Sequence, residues 1–536
     1  MATITPYRSG QRPGPDGFAQ LVHAEWTKFR TVRGWIIGLI AAVVVAAGFG
    51  LLTTDTNSAV CVRTASGPAH CGPAPQPSFP LGQGGEPVTD SFYFVHQPLA
   101  GNGTITARVT SLTGLVPAAN LNSPSITLRP GTQEWAKAGI IIKQSLKPGS
   151  EYAAMMVAAG HGVRMQWNYT ADRPGLPGTI GPANPRWLRL TRAGDVITGY
   201  DSADGTHWVK TGAVTLPGLP STVQAGLFAA SPDDNPEVQH LGGGIQGGGG
   251  PTRATAVIDQ VSGFRGPWAG TYIGAANASG IGAANASGIG RYHQAGGRFT
   301  VTGSGDIAPV PAGNGGPAAT AATVGGYLLG TFAGLIALAV VATMFMTAEY
   351  RRNLIRVTLA ASPRRGRALA AKAVVIGAVA FVTGLAGAGI AVLAGTAVTH
   401  ARGTYQFPVT GLTEARVIIA TGVLAAVSAV FAIAVGSMVR RSAVAVTIVI
   451  VTVVLPYFLS LAAVVPSGAA DWLLRITPAA GFAVQAPYPR YPQVSVLYSV
   501  VSGYYPLGPW TGLAVLCGWT AVALAGAAVL LRRRDA

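Results

Sequence analysis

Six long stretches of this chain contain no Asp, Glu, Lys or Arg. A hydrocarbon core of about 30 Å is crossed by about 20 helical residues, and charge is scarce in spanning segments. The pattern therefore predicts a membrane α-helical bundle of six transmembrane helices. No small-residue cleavage site follows the first stretch closely, so it is interpreted as a retained span rather than a signal peptide. The spans are residues 34–54, 323–348, 373–399, 417–439, 442–465 and 509–531.

An amphipathic helix is predicted ahead of the first span, over residues 17–33. Residues 1–16 are rich in Gly and Pro and predict a disordered cytoplasmic leader. Glu25 falls inside the apolar stripe of the helix, either as an exposed carboxylate at its rim or as a charge that another group meets. The stripe predicts a helix lying in the membrane interface, and its apolar members are Phe18, Leu21, Val22, Trp26 and Phe29.

The segment between the first two spans has a different pattern. Short runs alternate between apolar and polar residues, as at 104–109 and 187–190, and Asp204-Gly205 is a hairpin signal. Many short strands with turns between them predict an all-β antiparallel sandwich or jelly roll inserted over residues 88–310. Residues 55–87 and 311–322 are interpreted as linkers to the spans.

The net charge of +17 is concentrated in segments that lie on one side of the predicted spans. The positive-inside rule places these segments in the cytoplasm and the inserted domain outside the cell. We therefore expect a multi-pass plasma-membrane protein in a lipid bilayer, with both termini inside and no nucleic-acid partner. The cytoplasmic segments include a loop at 349–372 and the tail 532–536, while 466–508 is an external loop.

Few residues of the chain suggest chemistry. There is no Gly-x-x-x-x-Gly-Lys-Ser/Thr loop, no histidine pair at zinc spacing and no carboxylate pair on an alternating strand. We therefore predict that the chain is not an enzyme and binds no cofactor or metal. Cys61 and Cys71 lie in the external segment, where they either form a disulfide or stay reduced. Three aromatic residues either stack on a sugar or pack in the core, namely Trp167, Tyr169 and Trp208.

Several runs of the inserted domain resemble concanavalin-like sandwich domains of secreted bacterial proteins. They include Asp90 to Val95, Gly103 to Arg108, Trp135 to Ile140 and Tyr200 to Trp208. The resemblance implies a sandwich that could contact an extracellular polysaccharide. A strand with a Ser-Gly turn, usual before the first run, is found instead at 300–307, so we predict a permuted sandwich closed by residues 296–308. A Gly-rich linker with a tandem repeat is predicted at 269–290.

The segment Ala24 to Arg30 and the loop that follows Glu349 resemble those of type-2 ABC exporter permeases of the actinobacterial kind. The resemblance implies that this loop is a coupling helix on a separately encoded ATPase subunit, which uses the ATP, and that the permease works as a dimer, most simply a homodimer. It also implies an ATPase-contact surface made of Glu25, Lys28, Arg30, Glu349, Arg351, Arg352 and Arg356.

Two other interpretations remain at this point. The chain could be a membrane-anchored, lectin-like receptor without transport activity, and its basic loop could be a simple cytoplasmic anchor. An intramembrane enzyme is disfavoured, because the predicted spans contain no ionisable residue.

Overall fold

A computed structural model describes most of the chain. The described residues are 17–56, 59–62, 70–73, 79–118, 127–234, 237–239, 245–247, 250–274, 290–313, 321–351, 365–462, 464–494, 498 and 500–534. The predicted leader 1–16, the middle of the predicted coupling loop with Arg352 and Arg356, and most of the tandem repeat lie outside these residues.

Helix α1 (Phe18–Thr31) follows the predicted amphipathic segment closely. It ends because Val32 is extended, and Lys28 and Arg30 lie in its last turn, where positive charge is favourable. Its buried side chains are Glu25 and Phe29, on one face. Helix α2 (Arg33–Thr56) then begins at once.

The six predicted apolar helices are present, and each is long and apolar enough to cross a membrane. After α2 come α3 (Val324–Tyr327), α4 (Thr331–Arg351), α5 (Arg365–Ala401) and α6 (Gly411–Val439). Helix α7 (Ser442–Val449) continues through a π-helical turn (Ile450–Val454) into α8 (Leu455–Leu461), followed by α9 (Ser467–Ile476) and α10 (Pro509–Arg534). The candidate spans are Arg33–Leu52, Val324–Tyr350, Gly366–Ala401, Gly411–Val439, Ser442–Leu461 and Pro509–Arg533.

Several boundaries differ from the sequence prediction, and two of the differences concern buried residues. Helix α5 begins at Arg365 rather than at residue 373, because Lys372 is buried inside the fold and does not mark a membrane edge. The predicted external loop 466–508 contains α9 and a 3-10 helix, Pro478–Gln485, whose residues are all buried. A Cβ atom at Gly512 would lie 2.2 Å from the Ala480 carbonyl oxygen, so α10 and the 3-10 helix pack backbone to backbone.

The helices pack together around one apolar core, which draws on α1, α4, α5, α6 and α10. The termini of the helices lie at two ends of the helical part, called the basic end and the sandwich end. The basic end carries Arg33, Arg365 and Arg534, and the sandwich end carries Thr56 and Val324. Small residues permit the close packing; a Cβ atom at Gly50 would lie 1.9 Å from the Tyr327 carbonyl oxygen.

The segment between α2 and α3 forms a β-sandwich. The strands are β1 Ala59–Val62, β2 His70–Pro73, β3 Val88–Asp90, β4 Phe92–Ala100, β5 Gly103–Pro117, β6 Leu128–Pro130, β7 Lys137–Lys143, β8 Tyr152–Ala158, β9 Gly162–Trp167, β10 Ala171–Pro174, β11 Arg186–Ala193, β12 Val196–Ser202, β13 Val209–Thr215, β14 Thr222–Ala230, β15 Glu237–Gln239, β16 Ile245–Gly247, β17 Arg253–Ser262, β18 Ala269–Ile273, β19 Arg291–Ala295, β20 Arg298–Gly303 and β21 Ile307–Pro309. A seven-stranded sheet has the order β10-β9-β8-β7-β14-β4-β18, and an eight-stranded sheet has the order β13-β12-β11-β5-β17-β20-β19, with β6 paired to β5.

Alternation along the strands fills the space between the two sheets. In β11, Leu188 and Leu190 are fully buried in this core, while Trp187 and Arg189 point away from it. Strands β7 and β8 are buried throughout, because a second apolar cluster covers the other face of their sheet. That cluster includes Val88 from β3 and Ile307 from β21.

The end of the inserted segment supplies strands to the sandwich. Strand β20, within the predicted closing segment 296–308, pairs with β17 in the eight-stranded sheet, and β21 pairs with β3. The predicted linker 269–290 is partly wrong, because residues 269–273 form β18 at the edge of the seven-stranded sheet. Gly270 obscures this strand in the sequence, since glycine is depleted in strands.

The sandwich contacts the sandwich end of the helical part through short loops. The Tyr405 hydroxyl donates a hydrogen bond to the Gly85 carbonyl oxygen at 2.5 Å, and the Tyr405 ring meets Phe79 edge to face at 5.0 Å. The Gln493 side-chain amide donates to the Tyr169 carbonyl oxygen at 3.0 Å. The sandwich is therefore held on the helices by specific polar contacts.

Candidate functional site

Four charged side chains meet at the basic end of the helical part. Helix α1 supplies Glu25 and Lys28, which lie one turn apart on one face, 2.8 Å from carboxylate oxygen to amine. Helix α1 is held there by Phe29, which packs against Trp35 of α2 and Phe345 of α4 with ring centroids 5.5 and 5.6 Å apart.

Helices α4 and α5 supply the other two charges, Glu349 and Lys372. The Lys372 amine donates hydrogen bonds at 2.6 Å to both Glu25 and Glu349. Lys28 also reaches Glu349, at 3.1 Å. Each lysine therefore bridges both carboxylates, and we call these four residues the ion cluster.

Burial makes the ion cluster more than a surface salt bridge. The exposed fractions of Lys372, Glu25 and Glu349 are 2%, 4% and 6%. A buried charge is costly unless it is paired and hydrogen-bonded. Here two positive and two negative groups balance, and the Lys372 amine also lies 4.9 Å from the centre of the Phe345 ring.

Lys28 is the most exposed member of the ion cluster, with 44% of its side chain accessible. Burial lowers the pKa of Lys28, but the hydrogen bond that Lys28 donates to Glu25 and the charge of Glu349 outweigh burial, and the net pKa is raised. Lys28 therefore remains protonated at physiological pH, which keeps the cluster neutral.

The ion cluster joins α1 to both stems of the segment 352–364. Glu349 lies in the last turn of α4, which ends at Arg351, and Lys372 lies in the second turn of α5, which begins at Arg365. A displacement of either stem must therefore move α1 or break short charge-assisted hydrogen bonds. Each carboxylate of the ion cluster is bonded by both lysines, so the cluster links three helices through four short contacts.

The structure brings together three of the seven residues predicted to contact an ATPase: Glu25, Lys28 and Glu349. Arg30 is exposed on α1 and takes no part in the cluster. Arg351 is the last residue of α4, and its side chain lies outside the described part of the chain. Arg352 and Arg356 lie entirely outside the described residues.

Of the two interpretations of Glu25, the structure supports the one in which another group meets its charge, because the side chain is buried and paired. A lone charge in the apolar stripe requires a partner, but Lys372 and Lys28 of the same chain supply it. Sequence reasoning missed Lys372 because it was taken as the last residue of a loop. The available signal was its place just before a long apolar run, on the same side of the predicted spans as Glu25.

The three aromatic residues proposed for sugar stacking do not form a platform. Tyr169 is 1% exposed and belongs to the second apolar cluster, so of its two predicted roles the structure supports core packing and not sugar stacking. Trp167 packs against the core between the sheets. Trp208 lies by the other sheet, where the Arg189 guanidinium carbon is 3.7 Å from its ring centre.

The backbone of the cysteine pair is described, although the side chains are not. Strands β1 and β2 pair antiparallel, and Cys61 lies directly opposite Cys71. Opposed residues of antiparallel strands have Cα atoms about 4.5–5.5 Å apart, within the range that disulfides span. The disulfide itself remains a prediction. Among the described residues, no group of three or more His, Cys, Asp or Glu could hold a metal ion.

Comparison with known proteins gives no family for this chain. No family model matches it, and no curated protein matches it. A functionally unknown protein from Saccharomyces cerevisiae is similar at 12% identity and a TM-score of 0.19, over 40% of this chain and 97% of that one. A scytalido-glutamic peptidase with a transition state analog inhibitor is similar at 10% identity and a TM-score of 0.23, over 41% of this chain and all of that one. Likenesses at these TM-scores do not bear on fold or function.

Proposed function

We propose that this chain is the membrane-spanning permease subunit of an ATP-driven exporter of the type-2 ABC kind. It would work as a dimer of permeases with two copies of a separate ATPase subunit. The observation that carries the proposal is the ion cluster, because it fastens α1 to both stems of the segment 352–364. That segment is the one expected to dock on an ATPase.

The distribution of charge supports an orientation for this machine. The basic end carries arginines at the ends of α2, α4, α5 and α10. By the positive-inside rule this end would face the cytoplasm, where ATP is available. The sandwich would then lie outside the plasma membrane, and we propose that it is a concanavalin-like module that contacts extracellular glycan.

Mechanical coupling would follow from the geometry of the ion cluster. ATP-driven closure of the ATPase dimer would push on the segment 352–364 and displace α4 and α5. Because Lys372 bonds Glu25 and Glu349 at 2.6 Å, helix α1 would move with these stems as one body. The apolar helices pack through glycines such as Gly50 and Gly512, and close glycine contacts suit a switch between two packings.

A simple cytoplasmic anchor does not call for this arrangement. Anchoring requires basic residues that stay hydrated near lipid headgroups. The lysine and glutamates buried in the ion cluster carry a desolvation cost that anchoring does not explain. A part that transmits force to its neighbours does require rigid, directional contacts.

Copurification with an ATPase tests the proposal. The tagged chain is purified in mild detergent from its native membranes, and its partners are identified by mass spectrometry. We expect an equimolar chain with a Gly-x-x-x-x-Gly-Lys-Ser/Thr loop and vanadate-sensitive ATP hydrolysis. Replacing Arg352 and Arg356 together by Glu should remove both the copurifying chain and the ATP hydrolysis.

The matched control reverses two charges at the same end of the helical part, at Arg532 and Arg533, which are exposed on α10. The control variant should retain the ATPase at wild-type stoichiometry. If no ATP-hydrolysing chain copurifies with the wild type, or if both variants retain it equally, the exporter proposal fails and a receptor becomes the better interpretation.

A further inference from the structure

A cavity of about 190 Å³ lies between the sandwich and the sandwich end of the helices. At about 30 Å³ for each water molecule, this space holds roughly six waters, so it suits a small organic ligand. Five separate stretches of the chain build its wall. Its lining residues include Glu86, Phe407, Tyr488, Tyr491 and Tyr504.

Aromatic rings form a continuous part of this wall. Tyr488 contacts Phe407 on one side and Tyr504 on the other, with ring centroids 5.8 and 6.1 Å apart. The backbone N–H of Val324 donates to the Tyr488 hydroxyl at 3.2 Å, and that of Ala312 donates to the Tyr504 hydroxyl at 3.0 Å. Both rings are therefore fixed before any ligand arrives.

Glu86 is the single charged residue among the described residues that line the cavity. Its charge is felt by the neighbouring phenols: burial raises the pKa of Tyr491, and Glu86 raises it further. Two neighbouring arginines, Arg416 and Arg490, do not line the cavity, although burial raises the pKa of the wall residue Tyr504 and the charge of Arg490 partly offsets this rise. The Arg416 guanidinium donates to the Ala486 carbonyl oxygen at 2.6 Å, and that of exposed Arg490 lies 5.4 Å from the centre of the Tyr498 ring.

We infer that this cavity binds a small organic cation of the quaternary ammonium class. Aromatic faces attract such cations through the ring quadrupole, and a quaternary nitrogen has no N–H groups that would need hydrogen-bond acceptors. The Glu86 carboxylate supplies the balancing charge. An anion would face that carboxylate with no lysine or arginine among the described lining residues, so the wall selects against it.

Binding of choline to the full-length protein tests the inference. The protein is purified in nonionic detergent, and choline chloride is titrated calorimetrically against a sodium chloride blank of equal ionic strength. The neutral isostere of choline, with carbon in place of nitrogen, is titrated in parallel. We expect the isostere to bind at least about tenfold more weakly, a free-energy difference of about 1.4 kcal/mol.

Variants separate the contributions of charge and ring. Glu86→Gln should weaken choline binding at least about tenfold, and Tyr504→Leu should weaken it by a similar factor, while Tyr504→Phe keeps the ring and most of the affinity. Glu134→Gln, which removes an exposed carboxylate elsewhere on the sandwich, should change nothing. Equal binding of choline and its isostere to the wild type, or undiminished binding to Glu86→Gln, would overturn the inference.

The cation could arrive free or as part of a lipid headgroup, and reconstitution distinguishes the two sources. Nanodiscs of phosphatidylcholine should block choline binding if the site takes the headgroup, whereas nanodiscs of phosphatidylglycerol should not. Binding that is equal in both lipids assigns the site to a free cation. No ATP or partner is used, so failure here would leave the exporter proposal untouched.

Discussion

Removing the positive charge of Lys372 is the sharpest test of the ion cluster. Lys372→Met keeps the length and apolar stem of the side chain and removes the amine. Glu25 and Glu349, at 4% and 6% exposure, would then share Lys28 alone. Lys28 is 44% exposed, and its bond to Glu349 is already the longest in the cluster at 3.1 Å. One carboxylate would therefore remain poorly compensated in a buried place.

The expected magnitude follows from the burial of the pair. Removing one partner of a buried charge pair costs about 3–5 kcal/mol, because the other charge remains desolvated. Retained pairing of Lys28 to Glu25 at 2.8 Å offsets part of this cost. We expect a loss near the lower end of that range, about 3 kcal/mol, felt where α1 contacts α4 and α5.

Hydrogen exchange of the full-length protein in detergent measures this loss locally. Amides of α1 should exchange at least about a hundredfold faster in Lys372→Met, since each 1.4 kcal/mol is a factor of ten in an opening equilibrium. Amides of the sandwich should be unchanged and serve as an internal reference. Arg30→Gln, which removes an exposed charge on the same helix, is the matched control.

A second substitution makes the reasoning refutable. Lys372→Met with Glu25→Gln leaves Glu349 paired to Lys28 and removes the unmatched carboxylate. Protection of α1 should largely return in this double variant, although it has lost two charges. If Lys372→Met behaves like Arg30→Gln, or if the double variant is worse than the single one, the ion cluster does not hold α1.

Three further predictions concern topology, the sandwich and pH. A reporter fused after Arg365 should be cytoplasmic and one inserted at Asp204 external; cytoplasmic accessibility of Asp204 would overturn the proposed orientation. Residues 74–310 expressed alone should fold as a soluble β protein that melts well above residues 74–268, which lack β20, and equal melting temperatures would show that β20 is dispensable. The pKa of Lys28 is raised from 10.5, so its contribution to the stability of the folded state is fully present below about pH 10.5. That contribution is lost as the pH rises through the higher pKa of the folded protein. Exchange of α1 amides should therefore accelerate in strongly alkaline buffer, and a profile identical to that of Lys28→Met would contradict this.

The long apolar helices could be predicted from the sequence because length and absence of charge are sufficient signals. The sandwich strands with clear alternation, such as β11 with Leu188 and Leu190, were likewise predictable. Strand β18 was not, because Gly270 and its place before a Gly-rich repeat indicate a linker. Its strand character comes from pairing with β4, which local sequence does not encode.

Buried segments that contain polar or small residues were the second source of error. The 3-10 helix Pro478–Gln485 was assigned to an external loop because it lies between the last two predicted spans, yet every residue in it is buried. Gln485 is satisfied there by hydrogen bonds to Thr331 at 2.9 Å and Thr421 at 3.3 Å. These hydrogen-bond partners compensate for the burial of the Gln485 amide, and they are distant in sequence. No short window of sequence could therefore predict that this segment is buried.

The ion cluster shows why a charge in an apolar stripe is an ambiguous signal. The stripe around Glu25 indicates correctly that this carboxylate needs a partner, but it does not indicate where the partner lies. Lys372 is distant in sequence, and the rule that charges mark membrane edges assigned it to a loop. Local sequence rules therefore did not identify either residue as the partner of the other. Their 2.6 Å contact supplies each of the two charges with an opposite charge inside the fold. Whatever meets the segment 352–364 from outside would then act on α1 through Glu349 and Lys372.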